Sequence, residues 1–266
     1  MTNLSADAAS SPADSPKARF DRDGYLSIAS LTTPEDIALI GRLLDPLFEK
    51  FATLGPRAVD IAGPYREGQP PRSPEIGEPS ALEPKLLQTQ AFLRCRDLAR
   101  QLLGVPVGHV FDHAIYKSPH NDAATGWHQD QVYAQGAIAP RSVHFWIPLQ
   151  DVAVQNGCMW YVPGSHRNGL RPHHVAKLRT AGASSVSAGA TLALDEIDTT
   201  TAIACPLMVG GVAVHHPLTF HYTGPNQTAE YRRAWILHFG AFGHWRAKLH
   251  PLRFIAKFQR LLRRGR

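Results

Sequence analysis

The sequence predicts a mainly β protein with flanking helices, of the sandwich or jelly-roll type, and two observations carry that expectation. One is a series of short runs, at residues 109–116, 142–147, 211–215 and 234–239, rich in β-branched and aromatic residues and mostly bounded by Gly, Pro or Asn. The other is that beyond residue 105 these runs follow one another without helices between them. At 266 residues the chain suits one large domain, expected over residues 17–245.

The N-terminal part reads differently. Residues 1–16 are small, polar and Pro-containing, with neither a basic nor an apolar signal region, and are expected to form a disordered leader. Residues 20–26 read as a turn into a short strand. Thr33 is placed as a helix N-cap with Pro34 in the first turn, and Ile37, Ile40, Leu44, Leu47 and Phe48 form an apolar stripe at helical period. This predicts an amphipathic helix over 34–53, weakened at Gly41 and bent near Pro46. A second helix is predicted over 90–103, with Gly104 just past its end. Residues 60–80, rich in Pro and Gly, are expected to lack regular structure and to be either a lid or a plain surface loop.

The net charge of +6 is concentrated at the C-terminus. Residues 246–266 hold eight of the 28 basic residues and no acid, so removing them leaves 20 basic against 22 acidic residues. The body offers no broad basic face, and a nucleic-acid partner is not expected. Within that segment Leu252, Ile255, Phe258, Leu261 and Leu262 recur at spacings of three and four, the pattern of a basic amphipathic helix. Such a helix either docks on the domain or makes peripheral contact with an anionic membrane surface. No apolar run approaches the ~20 residues of a membrane span. Cys95, Cys158 and Cys205 are isolated and odd in number, which excludes a zinc ribbon or iron–sulfur cluster and fits a reducing, cytoplasmic compartment.

The chemistry is concentrated in His128-Gln129-Asp130, with a third histidine and an arginine far downstream. Two imidazoles and one carboxylate suit Fe(II), Mn(II) or Zn(II), and three such ligands on one face leave coordination positions open. On a strand, residues i and i+2 share a face, so His128 and Asp130 are expected to point into the barrel together while Gln129 points away. His215, His216 and His221 all lie where a third ligand could come from. His221 is preferred, because the segment His221-Tyr222-Thr223-Gly224-Pro225-Asn226 reads as a hairpin turn that would bring Arg232 alongside. A guanidinium there could grip the far carboxylate of a metal-bound acid bidentately. His216 is the next candidate, and His166 reads as support for a loop.

Taken in order, these stretches resemble the phytanoyl-CoA hydroxylase family of iron- and 2-oxoglutarate-dependent dioxygenases. The matching residues are Gly24-Tyr25, Trp127-His128-Gln129-Asp130, Trp146-Ile147-Pro148-Leu149-Gln150-Asp151, Asn156-Gly157-Cys158-Met159, Pro163-Gly164-Ser165-His166, and His221 to Asn226 with Arg232. They cover roughly residues 20 to 240. The resemblance implies a cupin-like double-stranded β-helix, that is, a jelly roll. It implies Fe(II) held by His128, Asp130 and His221, with 2-oxoglutarate and O2 as cosubstrates and Arg232 on the distal carboxylate of 2-oxoglutarate. Thr223 stands where the family usually has a Ser that assists this contact. Gln129 and Trp146 match positions lining the cosubstrate pocket, and Lys117 precedes the metal motif; for Lys117 and Trp146 a surface cation and a core aromatic are the alternative readings. Because Asp130 fills the third ligand position, the resemblance implies hydroxylation of an unactivated C–H bond rather than halogenation.

The substrate is less legible. The segment 166–200 contains His173, His174, Lys177 and Arg179 and follows the Pro-Gly-Ser-His turn, where it is placed to cover the site and hold a phosphate or carboxylate, or to be a solvated loop. A small-molecule or lipid-type substrate is expected. Two other readings of the same residues are a zinc-dependent hydrolase, for which no separate general base is visible, and a non-catalytic jelly-roll module associated with a membrane.

Overall fold

The computed structural model describes residues 15–63, 70–134, 141–175, 192–194 and 197–241. Most of the expected leader, most of the loop beyond His174 and the basic segment 246–266 lie outside the described residues.

Helix α1 (Pro16–Asp23) leads through Gly24 into strand β1 (Tyr25–Ile28), followed by α2 (Pro34–Glu49), β2 (Ala58–Asp60), β3 (Pro74–Gly77), the short α3 (Pro79–Leu82) and α4 (Gln90–Leu103). The strand-rich part comprises β4 (Val107–Lys117), β5 (Thr125–His128), the one-turn α5 (Gln131–Ala134), β6 (Ser142–Pro148), β7 (Met159–Tyr161), β8 (His173–Val175), β9 (Leu192–Leu194), β10 (Ile203–Cys205), β11 (Val212–His215), β12 (His221–Thr223) and β13 (Arg232–Ala241). A seven-stranded antiparallel sheet runs β1-β11-β6-β13-β4-β3-β2, and a four-stranded sheet runs β10-β7-β12-β5. Strands β8 and β9 pair as a separate ribbon. The arrangement is a jelly roll, as the strand pattern predicts.

Period-two alternation on the large sheet builds two cores at once. On β13, Trp235, Leu237 and Phe239 join Phe145, Ile147, Val212 and Val214 in packing against Ile37, Ile40 and Leu44 of α2 and Phe92, Cys95, Leu98 and Leu102 of α4. The intervening Ala234 and Ile236 face the other way and join Trp146, Ala213, Cys158, Met159, Tyr161 and Cys205 in the layer between the sheets. All three cysteines are therefore buried in one core or the other, as free thiols. The helices are tied together by Asp36, which accepts hydrogen bonds from the Gln90 and Ala91 amides at the start of α4 at 3.0 and 2.7 Å. No helix among the described residues is long and apolar enough to cross a membrane.

Several local expectations need correcting. Residues 20–23 are the last turn of α1, not a turn outside any element, because Ser15 caps the helix and Gly24 ends it at φ 78°. The predicted helix over 34–53 stops at Glu49, within a turn of Pro46, and residues Phe51–Thr53 continue as a separate 3-10 turn. Pro46 itself is accommodated within the last turn, and the Lys50 amide closes the helix on the Leu47 and Phe48 carbonyls. The 60–80 region holds β3 and α3 at its end; β3 pairs with β2 and β4. Pro74 is tolerated there as the first residue of its strand.

Gly24 shows why a small residue is needed at the N-terminal edge of the sheet. Its carbonyl accepts from the Thr219 hydroxyl at 2.7 Å and from the His216 amide at 2.8 Å. A Cβ there would lie 2.3 Å from His166 Nδ1 and 2.6 Å from Thr219 Oγ1. Left-handed strain and overpacking act together. Gly24→Ala is expected to destabilise the fold by about 2–4 kcal/mol, read as a drop in Tm or denaturation midpoint; an unchanged midpoint contradicts this packing.

Candidate active site

His128 ends β5 and His221 begins β12, and the two are direct partners across the small sheet. Their rings lie with centroids 4.0 Å apart. The Nδ1 atom of His128 donates to the Gly126 carbonyl at 2.7 Å, and that of His221 donates to the Thr219 carbonyl at 2.9 Å. These bonds fix the tautomer in which each Nε2 carries a free lone pair. Both Nε2 atoms face Asp130 Oδ1, at 3.5 Å from His128 and 3.3 Å from His221. The three ligand atoms lie within 4.8 Å of one another, a spacing that one divalent cation can span.

Asp130 is not on the strand, contrary to expectation. Strand β5 ends at His128, and Asp130 sits in the turn that opens α5. Its carboxylate still returns to the same side because two imidazoles on the large sheet hold it. His144 Nδ1 donates to Oδ2 at 2.7 Å and His215 Nε2 donates to the same oxygen at 3.0 Å. With its Nε2 committed as a donor, His215 accepts at Nδ1 from the buried Tyr161 hydroxyl, 3.0 Å away. Burial alone would raise the Asp130 pKa, but the histidines around it outweigh that penalty and hold it well below the usual carboxylate range. Burial and the neighbouring His221 depress His128, whereas the Asp130 carboxylate overcomes burial at His221 and raises it.

The roles of His144, His215 and Tyr161 were not anticipated. A signal for His144 was available: in the strand 142–148 it shares parity with Trp146, which faces the inter-sheet layer. His216, the runner-up ligand, does not join the cluster. Its Nδ1 accepts from the Leu218 amide at 3.1 Å, and burial with nearby His166 pushes its pKa down to about 4. His166 lies in a 3-10 turn and braces α1 through the Asp21 carbonyl at 3.2 Å.

Arg232 arrives by a different route from the one expected. Residues 224–231 are not the turn of a hairpin: β12 belongs to the small sheet and β13 to the large one, where Arg232 pairs with Lys117 of β4. The guanidinium therefore comes from the sheet facing His221. It is only 2% exposed, and neither Nε nor Nη1 has a hydrogen-bond partner. Its Cζ lies 5.4 Å from the centre of the Trp146 ring, so Trp146 backs it by a cation–π contact. Burial lowers its pKa to about 10. A buried guanidinium with two unused donors is costly by itself and fits a carboxylate delivered from outside the chain.

Lys117 is fully buried, not a surface cation. Its Nζ donates to Thr223 Oγ1 at 3.0 Å and to the carbonyls of Gly224 and Thr223 at 2.7 and 3.3 Å. Burial, reinforced by the charge of Arg232, drives its pKa well below the ordinary lysine value. Lys117 thus holds the end of β12, and with it Thr223, beside Arg232.

Gln129 does not present its amide to a cosubstrate. It is wholly buried, donating to the Gly169 and Leu218 carbonyls at 2.8 and 2.7 Å and accepting from the Arg171 amide at 2.8 Å. Its backbone N–H also donates to His173 Nε2 at 3.0 Å. Gln129 and His173 consequently pin the 166–175 loop beside the histidine cluster. His173 is occupied by this contact, and Lys177 and Arg179 lie outside the described residues.

The described residues thus form a jelly roll with a two-histidine, one-carboxylate cluster able to hold one divalent cation and a buried arginine on the facing sheet. The model of the family Phytanoyl-CoA dioxygenase (PhyH) matches residues 20–234, and the chain belongs to this family. Among curated proteins it is similar to phytanoyl-CoA dioxygenase domain-containing protein 1 of Bos taurus, 31% identical over 160 residues, 59% of this chain and 53% of that protein. The chain spans about half the length of the curated relatives it matches. Among solved structures it is similar to EvdO2 from Micromonospora carbonacea var. aurantiaca, with a TM-score of 0.70 and 32% identity, covering 88% of this chain and 92% of that one. The same protein complexed with 2-oxoglutarate gives a TM-score of 0.67 at 29% identity, with coverage of 88% and 92%.

The unpartnered guanidinium gives a prediction that separates a ligand-binding arginine from a structural one. Arg232→Leu is expected to leave the Tm of the ligand-free protein unchanged or higher, because it removes a buried charge that lacks a protein partner. The same variant should lose about 2–5 kcal/mol of 2-oxoglutarate affinity, measured by calorimetry under anaerobic conditions. A large fall in Tm with unaltered affinity contradicts the assignment.

Proposed function

We propose that this protein is an Fe(II)- and 2-oxoglutarate-dependent dioxygenase that hydroxylates an unactivated C–H bond of a small-molecule or lipid-type substrate. The observation that carries the reading is Arg232, a buried guanidinium with two free donors on the wall facing the His128, Asp130 and His221 cluster. Family membership and the likeness to a protein solved with 2-oxoglutarate support it.

In this reading His128 and His221 hold iron through Nε2 and Asp130 holds it through Oδ1. With both imidazoles donating to Oδ2, Asp130 would offer a metal its Oδ1. Arg232 grips the distal carboxylate of 2-oxoglutarate, with the Thr223 hydroxyl beside it and Lys117 fixing that hydroxyl in place. When bound, iron and 2-oxoglutarate supply the oxidising power: 2-oxoglutarate, O2 and R–H become succinate, CO2 and R–OH. The chain's own contribution is to position, to neutralise charge and to exclude water. Because Asp130 occupies the third ligand position, hydroxylation is favoured over halogenation.

Purified protein given Fe(II), ascorbate and 2-oxoglutarate is expected to release succinate slowly even without substrate. Asp130→Ala should lower that rate by more than the ~10–100-fold that loss of an outer partner costs. Absence of both 2-oxoglutarate binding and succinate release from the wild-type protein contradicts the proposal.

A further inference from the structure

Beyond the ligands, the inner face of the large sheet carries a row of imidazoles, of which the proposed chemistry uses only His144 Nδ1 and His215, as donors to Asp130. His215 on β11, His144 on β6 and His238 on β13 are direct neighbours across three strands. His113 on β4 continues the row one step along, with ring centroids 5.2 Å from His238. Its Nδ1 meets Glu75 Oε1 on β3 at 2.9 Å. The row thus extends from the Asp130 carboxylate to a part-exposed His113–Glu75 pair.

Three buried polar atoms in this row have no hydrogen-bond partner: His144 Nε2, His238 Nε2 and Ser142 Oγ. They are close together, since Ser142 lies two residues from His144 on the same face of β6 and the His144 and His238 rings lie 3.7 Å apart. His144 is 0%, Ser142 1% and His238 7% exposed. Because His144 Nδ1 carries the proton given to Asp130, its Nε2 is an acceptor and calls for a donor on the ligand. Ser142 and His238 can each donate or accept. Phe111 meets the His238 ring edge-on at 5.5 Å and supplies one apolar surface beside these groups. Glu75 and His113 face each other across the sheet at 2.9 Å, so the carboxylate already has a partner within the wall.

Resting on the dioxygenase reading, we infer that this row is the substrate wall and that the substrate is a neutral, hydroxyl-rich small molecule, a polyol or glycoside, not a fatty-acyl chain. An acyl chain laid against these residues would leave three buried polar groups unpaired; hydroxyl and ether oxygens satisfy all three. Sites built to hydrogen-bond a substrate hydroxyl reject analogues that lack it by as much as ~10^4–10^5-fold.

The test separates this inference from the reading beneath it. Anaerobic 2-oxoglutarate binding to the Fe(II)-loaded protein is measured first, and its absence removes the dioxygenase reading. With binding present, succinate release is compared across a pool of neutral polyols and glycosides and a pool of fatty-acyl-CoA thioesters. Stimulation about 10-fold or more by the polyol and glycoside pool alone is expected. Stimulation by the acyl thioesters, or by neither pool, overturns the inference. For the compound that responds, His238→Phe should raise KM by about 10-fold or more while kcat changes less, with calorimetric affinity falling in parallel. His238→Gln, which keeps a polar end, should stay within about 3-fold of wild type. Equal KM values in the two variants overturn the assignment of His238 to the wall.

Discussion

The structure depends on the Asp130 carboxylate, whose two oxygens are divided between the two sheets. Oδ1 faces His128 and His221 from the small sheet, and Oδ2 is held by His144 and His215 from the large one. His144 and His215 donate to this buried carboxylate, whose pKa lies well below the usual carboxylate range despite its burial, and they tie it to the large sheet. The supports reach further back. His221 is oriented by the Thr219 carbonyl, Thr219 is anchored to Gly24 at the start of β1, and His215 is oriented by Tyr161, on which Tyr25 stacks at 4.7 Å. Glycine and tyrosine at positions 24 and 25 therefore bear on the metal cluster although neither touches it.

The inner face of the large sheet is graded along its strands. At one end Arg232 and Lys117 pair across β13 and β4, both buried, with Trp146 covering the guanidinium. Ala234, Ile236 and Ala213 form an apolar middle. At the other end the face turns to histidine, with His144, His215 and His238 side by side. In the proposed reading the cationic end would take the far carboxylate of 2-oxoglutarate and the histidine end a hydrogen-bonding substrate. The opposite face of the same strands is mostly apolar and packs on α2 and α4, with Asp112 bonded to Trp235 and Ser80 and Arg233 paired with Asp45 of α2.

Much of this was legible in the sequence, for physical reasons that also explain what was not. Strands β4, β6, β11 and β13 were visible because each is of strand length and rich in β-branched or aromatic residues, and the end of α4 because Gly104 stands just past it. The residues nominated for the metal cluster do meet in space, as residue type and order suggested. Local reading failed where long-range pairing decides. Nothing in residues 221–232 distinguishes a hairpin from a crossing between sheets, since both begin with the same turn residues. The Asp130 carboxylate lies beside His128 because His144 and His215 hold it there, not because of strand parity. Gln129 looked like a pocket residue because of its place in the motif, but its amide is fully engaged by loop backbone. For Lys117 the sequence left a cosubstrate contact and a surface cation both open, because only the fold reveals the three oxygens around its ammonium group.

A structure of the protein grown anaerobically with Fe(II) and 2-oxoglutarate tests the central claim most directly. Metal is expected on His128 Nε2, Asp130 Oδ1 and His221 Nε2, with the distal carboxylate of 2-oxoglutarate on Nε and Nη1 of Arg232 and the His144 and His215 contacts to Oδ2 retained. Metal seated instead between Asp130 Oδ2, His144 and His215, the other grouping of metal-compatible side chains among the described residues, or a carboxylate bound away from Arg232, would contradict it.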